Sequence, residues 1–248
     1  MTLALQLYSI RDALSTDLEG TIRKIAAMGY QAVEAWGGLA GGDMARPAAL
    51  FQELGIKVIS THGRLDPDDP EQQKTQLKGM EQLGVNTLVF PWLPPENFTT
   101  IEGIKRVCEQ LNAIHAIAHA NGLRFGYHNH HFECVALPDG SLPIHHMAAL
   151  LDPTIFFEVD TYWVQAGGAN VVDLLRTLGD RAPLLHIKDG STRLGEPMVA
   201  VGTGIMDVPA ILRVSRAEAL IVELDACATD MLEAVDLSLK NLSKMVGA

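Results

Sequence analysis

The sequence predicts an α/β fold, a single (β/α)8 barrel over residues 1–248, on three observations. Short apolar runs of strand length, often β-branched, alternate with longer segments of helical periodicity. The alternation repeats eight times, and no Pro/Ser linker or low-complexity tract interrupts it. The first strand leads into "YSIRDAL", where a doubly wound nucleotide-binding sheet would carry a glycine-rich fingerprint.

Each unit has its own signal. "LALQLYS" is the first strand, and a helix near 16–28 follows with Leu18, Ile22, Ile25 and Ala26 on one face and Gly29 as its stop. "QAVEAW" is the second strand, and the helix "RPAALFQELG" again closes on glycine. "IKVISTHG" is the third, followed by "DPEQQKTQLKGMEQLG", with proline near its start and glycine after its end. "VNTLVFP" is the fourth, and residues 97–121 form the longest helix, buried along Ile101, Ile104, Val107, Cys108, Leu111, Ile114 and Ala118. The remaining strands are "NGLRFGYHNH", "PTIFFEVD", "APLLHIKD" and "EALIVELD". Their helices are "PIHHMAALLD", "NVVDLLRTLGDR", "DVPAILRVSR" and residues 230–246, with a glycine-containing loop at 189–206.

Composition narrows the function classes. The net charge of −11 lowers the expectation of nucleic-acid or anionic-membrane binding, which favours basic surfaces. Cys108, Cys134 and Cys227 lack metal-finger spacing and read as free thiols in a reducing compartment. The N-terminus has no signal-peptide pattern, and no run of 18 apolar residues occurs, so a cytoplasmic protein is expected.

In a barrel of this kind the active site lies at the C-terminal ends of the strands. There the strands carry Glu34 and Trp36, His62, Pro91 and Trp92, His128 and His130, Glu158 and Asp160, His186 and Lys188, and Glu223 and Asp225. Strand starts are mostly apolar, so ionisable groups gather at one rim, where burial without partners would be costly. Asp, His and Glu on separate strands suit a divalent cation such as Mn, Mg, Co or Zn. In "FGYHNHHFECV" (125–135), alternation puts Gly126, His128 and His130 on the inner face. His131, His145 and His146 read as surface or capping residues. His115 and His119 stand four apart on a helix but without an HExxH pattern, so packing or exposure explains them better.

"LQLYSIRD", "GYQAVE", "YHNHHFE", "DTYWVQAGG", "LLHIKDG", "VGTGIMD" and "IVELD", in this order, resemble the sugar phosphate isomerase/epimerase family, the xylose isomerase-like TIM barrels that include inosose dehydratase. The resemblance implies a divalent metal held by acidic residues after strands five, six and eight and a histidine after strand seven. Asp160, His186 and Glu223 match three of these positions. The strand-five glutamate falls on His128 when counted from Gly122, and on Tyr127 when aligned from "FE". Alternation favours His128, with His130 as the alternative ligand.

The resemblance further implies proton abstraction next to a carbonyl of a sugar, keto-sugar or cyclitol. Glu223 is the expected base, His62 the acid, and Lys188 a stabiliser of the enediolate. Glu34, His130, Trp92 and Trp163 are expected to bind substrate, and Trp36 is a further candidate for stacking. The loss of one carboxylate puts a two-base epimerisation in doubt and keeps a dehydratase or lyase open. "VGTGIMD" invites a phosphate reading but lacks the GxxxxGK pattern. An endonuclease IV-like enzyme would need a basic face, and a sugar-binding barrel without turnover is the non-enzymatic alternative. A homodimer is compatible with the fold.

Overall fold

The computed structural model describes residues 1–247. Eight strands, β1 (Thr2–Gln6), β2 (Ala32–Trp36), β3 (Lys57–His62), β4 (Thr87–Phe90), β5 (Arg124–His128), β6 (Phe156–Asp160), β7 (Leu184–Ile187) and β8 (Ala219–Val222), pair in parallel in chain order. β8 pairs back onto β1, with Thr2 opposite Ala219 and Leu5 opposite Val222, so the sheet closes on itself. This is the (β/α)8 barrel that the alternating pattern predicts.

The helices, in order, are α1 (Arg11–Thr16), α2 (Leu18–Met28), α3 (Ala45–Leu54), α4 (Pro70–Leu83), α5 (Ile101–Ala120), α6 (Pro143–Leu150), α7 (Thr161–Ala166), α8 (Val171–Leu178), α9 (Val208–Val214) and α10 (Met231–Val246). Their ends are set by local chemistry. Side chains of Asp17, Asp69, Thr100, Asn170, Asp207 and Asp230 accept a backbone N–H from the first turns of α2, α4, α5, α8, α9 and α10. Gly29 ends α2 at φ 104°, a conformation a side chain would strain.

Three expectations need correction. The helix expected near 16–28 begins at Leu18, because Asp17 is extended and caps α2 with its side chain, while a separate α1 precedes it. A short helix, α7, follows β6 directly, where the sequence pattern predicts none; Asp160 starts it by accepting the Trp163 N–H at 2.9 Å. The fifth strand stops at His128, so His130 stands in the turn beyond and not on the strand's inner face.

Two apolar layers result. The larger lies between barrel and helices. The smaller fills the lower barrel interior with Ala4, Ala32, Val89, Phe156, Leu184, Ala219 and Ile221. Gly126 belongs beside this floor: a Cβ there would lie 2.3 Å from the Phe156 ring. Strand alternation then dictates what comes next. Two residues above Ala4, Ala32, Gly126, Phe156, Leu184 and Ile221 stand Gln6, Glu34, His128, Glu158, His186 and Glu223. One step further up are Asp160, Lys188 and Asp225. Among the described residues, no helix is long and apolar enough to cross a membrane.

Candidate active site

The rung above the floor is a buried network of acids and imidazoles. Glu34, Glu158, Asp160 and His186 are fully buried, and Lys188 is 1% exposed. His186 has a carboxylate at each ring nitrogen: Nδ1 is 2.7 Å from Glu223 Oε2, and Nε2 is 2.7 Å from Glu34 Oε1. Gln6 donates to the same Glu34 oxygen at 2.7 Å. Three imidazole nitrogens converge on Glu158 Oε2: His62 Nε2 at 2.6 Å, His128 Nδ1 at 3.1 Å and His186 Nε2 at 3.1 Å. The Lys188 ammonium lies among three carboxylates, 2.9 Å from Asp160, 2.7 Å from Glu223 and 2.7 Å from Asp225.

Burial and neighbouring charge pull these groups apart electrostatically. Burial and then the Glu158 charge push Glu34 up to about 7. Burial would raise Glu158 as well, but the charges of His186 and His62 hold it well below the usual carboxylate range. Glu223 is likewise held low against burial by Lys188 and His186. Burial, opposed by Lys188, raises Asp160 to about 6. Desolvation, aided by the His186 charge, brings His128 down to about 3, and desolvation brings His130 down to about 2. His186 moves the other way, well up, because Glu158, Glu223 and Glu34 outweigh its burial.

The donor set fits a divalent cation. Two groups of side chains each bring their ligand atoms within 4.8 Å of one another: His62, His128, Glu158 and His186, and His128, Asp160, His186 and Glu223. The second group holds the three positions that matched the resemblance, Asp160, His186 and Glu223, together with His128, the strand-five position that alternation favours. Oxygens with no hydrogen-bond partner add to the fit: Glu34 Oε2 and Glu158 Oε1 are buried and unbonded.

A cavity of about 720 Å³ opens over this network. His62, His128, His130, Glu223 and Asp225 face it from below, and Tyr8, Trp36, Met44, Arg64, Gln76 and Trp92 line its sides. Trp92 is 40% exposed on that wall. Glu34 and Trp163 are not in the wall. Glu34 lies beneath, bonded to Gln6 and His186, while the Trp163 ring lies 5.3 Å from Lys188 Nζ. Tyr127, the other strand-five position considered, is fully buried on the opposite face, where its hydroxyl donates to Glu133. The His130 ring stacks on Phe132 and meets His128 edge-on.

The glycine-rich loop has an internal occupant. Backbone N–H groups of Gly190, Gly202, Gly204 and Met206 donate to the Asp189 carboxylate at 2.9–3.1 Å. The anion cradle that "VGTGIMD" suggested is therefore filled by the chain's own aspartate. Glu158 received no role from sequence, although its place two residues before Asp160 put it on the same inner face. Met44 and Gln76 of the cavity wall come from α3's approach and α4 and gave no signal in sequence.

A closed barrel with ionisable groups collected at its C-terminal mouth under a large cavity has the layout in which barrels of this fold carry their active sites. The chain matches the family described as xylose isomerase-like TIM barrel over residues 22–226, and it belongs to that family. A sugar phosphate isomerase/epimerase from Parabacteroides distasonis superposes with TM-score 0.83 at 26% identity, covering 98% of each chain. Two more distant structures share the fold. A probable 3-DHS dehydratase, AsbF, from Bacillus anthracis gives TM-score 0.76 at 14% identity over 98% of this chain and 99% of its own. The IolI protein, solved with a zinc atom, gives TM-score 0.74 at 18% identity over 100% and 98%. A comparison with curated protein sequences found no match.

Proposed function

We propose that the protein is a divalent-metal-dependent isomerase or epimerase of a sugar or keto-sugar, working by proton abstraction next to a carbonyl. One observation carries this reading. Glu223 faces the cavity, is held ionised, and stands 2.7 Å from both His186 Nδ1 and Lys188 Nζ, beside the imidazoles suited to a cation. Glu223 takes the proton from the carbon next to the carbonyl. Lys188 keeps Glu223 and Asp225 charged and oriented, and its ammonium offsets negative charge that develops on the substrate. A divalent cation at the His128–His186 pair would supply Lewis acidity to the substrate carbonyl. Trp36 and Trp92 offer apolar faces to the sugar ring, and His130 borders the same space.

A second reading is favoured by the wall opposite Glu223. Glu223 and Asp225 both come from the end of β8, while β3 and β5 present His62 and His128 to the cavity. A two-base epimerisation needs carboxylates on opposite faces of the carbon. One-base chemistry, as isomerisation or as loss of a β-hydroxyl from a keto-sugar or keto-cyclitol, fits this layout better. The test is proton NMR in D2O with ketohexoses, ketopentoses and inososes, with and without EDTA. Deuterium entering beside the carbonyl, with an isomer as product and inhibition by EDTA, supports the isomerase. An enone product assigns the lyase. Absence of exchange and of product across the panel refutes both and leaves a sugar-binding barrel.

A further inference from the structure

We propose that the substrate is a keto-sugar carrying an uncharged, largely apolar substituent, and that this substituent lies in a side chamber along α4. The proposal rests on the keto-sugar reading of the mouth and names what the rest of the cavity holds.

The cavity does not end over the catalytic network. From His62, His128 and Glu223 it continues along one face of α4, where Gln72, Thr75, Gln76, Gly79, Met80 and Leu83 line it. Those positions follow helical spacing and span about 16 Å of helix. In a barrel of this kind such a face is ordinarily laid on the core. α4 departs from that: Met80 is the one buried residue of its 14, whereas α5 buries Ile104, Val107, Leu111 and Ile114 among others. The whole cavity, about 720 Å³, is of a size that takes drug-sized molecules, and one sugar ring fills only part of it.

The walls define the guest. The charged residues of α4, Glu71, Lys74, Lys78 and Glu81, are exposed and outside the lining. Among the described lining residues Arg64 is the one arginine, and no lysine joins it. Its guanidinium donates to the Trp92 carbonyl at 3.4 Å and lies over the Phe90 ring. A phosphate would find no cluster of cations here. Met44, Met80 and Leu83 favour an apolar group instead. Gly79 keeps the passage open. Glycine weakens a helix interior, but a Cβ at this position would stand 3.3 Å from Met44 Cγ and narrow the space between them.

Gln76 stands where chamber and mouth meet. A Cβ on Gly63, next to His62, would fall 2.5 Å from Gln76 Nε2, and one on Gly37, next to Trp36, would lie 3.7 Å from its Oε1. Two glycines just beyond β2 and β3 thus admit this amide. Gln72 and Gln73 commit their amides to the backbone of Arg64 and Asp66, whereas Gln76 has no hydrogen-bond partner among the described residues. Its free donor and acceptor match the hydroxyl or ether oxygen at which sugar and substituent join.

The test is calorimetry on the full chain with ketohexoses, ketopentoses and inososes and with their mono-O-benzyl ethers, beside NMR of isotope-labelled methionine methyl groups. At least one ether should bind about 10-fold or more tighter than its parent and shift the Met44 and Met80 methyl signals. Gly79→Leu fills the chamber and should erase that preference, and Gln76→Ala should reduce it. Ethers that bind no tighter than their parents, or that leave both methionine signals in place, overturn the inference; deuterium exchange into a parent sugar would then still uphold the proposed function. Absence of binding and of exchange across the whole panel overturns both. The preference and the methyl shifts are read on the wild type, so they decide the matter even where a variant misfolds.

Discussion

Phe156 and Glu158 are two residues apart on β6 and face the same barrel interior, yet their surroundings share almost nothing. Phe156 packs into an apolar floor with Ala4, Ala32, Val89, Leu184, Ala219 and Ile221. Glu158 sits one rung higher among His62, His128 and His186. Phe156 and Glu158 are both buried. The lower layer gains from removing apolar surface from water. The upper carries desolvated charges that are tolerable only when each has a counter-charge or a ligand. The floor supplies stability, and the rung spends part of it holding reactive groups where water would otherwise disperse them.

The largest expected effect lies in the upper layer. Glu223→Gln keeps the side chain's size and removes the base. Solvent-deuterium exchange into a substrate keto-sugar should fall by about 10²–10⁴-fold, with the far-UV circular dichroism unchanged. Exchange at the wild-type rate would move the base elsewhere on the rung. Phe156→Ala should do the reverse. It removes the largest side chain of the floor and should cost about 3–5 kcal/mol in urea unfolding while cobalt binding by the folded protein persists. If metal affinity fell along with stability, the two layers would be one energetic unit.

Glu133 tests whether the charges above the floor survive because of their partners. It is fully buried like Glu158, but its partners are the Tyr127 hydroxyl and the His130 backbone N–H, not cations. Burial accordingly raises its pKa from 4.5 to about 8, where histidines instead lower Glu158. A folded pKa above the unfolded one gives stability that is present in full below about pH 4.5 and is lost as pH rises through about 8. Glu133→Gln deletes this dependence and leaves the other titrations in place. The stability of the wild type relative to the variant should therefore fall by about 1–4 kcal/mol between about pH 5 and pH 8. Urea titrations at both pH values measure it, and a flat difference would mean that Glu133 is ionised throughout.

Much of this contrast was legible in the chain. Alternating apolar runs and periodic helices gave the barrel, and strand ends gave His62, His128, Asp160, His186, Lys188 and Glu223, which the structure brings to one mouth. Glu158 was in view but had no assigned role, because nothing in a lone strand says which inner carboxylate meets which imidazole. That depends on barrel stagger, which places His128 opposite Glu158 and Asp160 opposite His186. His130 was placed on the strand because alternation does not show where pairing stops. The glycine-rich loop misled because its anion is Asp189, 13 and 15 residues before Gly202 and Gly204, whose N–H groups it accepts. Backbone hydrogen bonds of that range leave no periodic trace.

The smallest effect is the sharpest probe of how floor and rung connect. Gly126 pairs with Phe156 in the β5–β6 register and directly precedes Tyr127 and His128. A methyl group at 126 would fall 2.3 Å from the Phe156 ring, so Gly126→Ala must push that ring or β5 itself. Overpacking of this kind costs about 1–3 kcal/mol. If the ring yields, stability drops by that amount and cobalt affinity is unchanged, because Phe156 can tilt toward Arg124 at the open end of the barrel, where the guanidinium lies 5.4 Å from its centroid. If the strand yields, His128 shifts with it and cobalt affinity falls too. We expect the first outcome, since β5 is hydrogen-bonded on both sides, to β4 through Val89 and to β6 through Phe156, whereas the ring is held only by packing. Urea unfolding and cobalt calorimetry on this one variant therefore show whether strain in the floor reaches the rung.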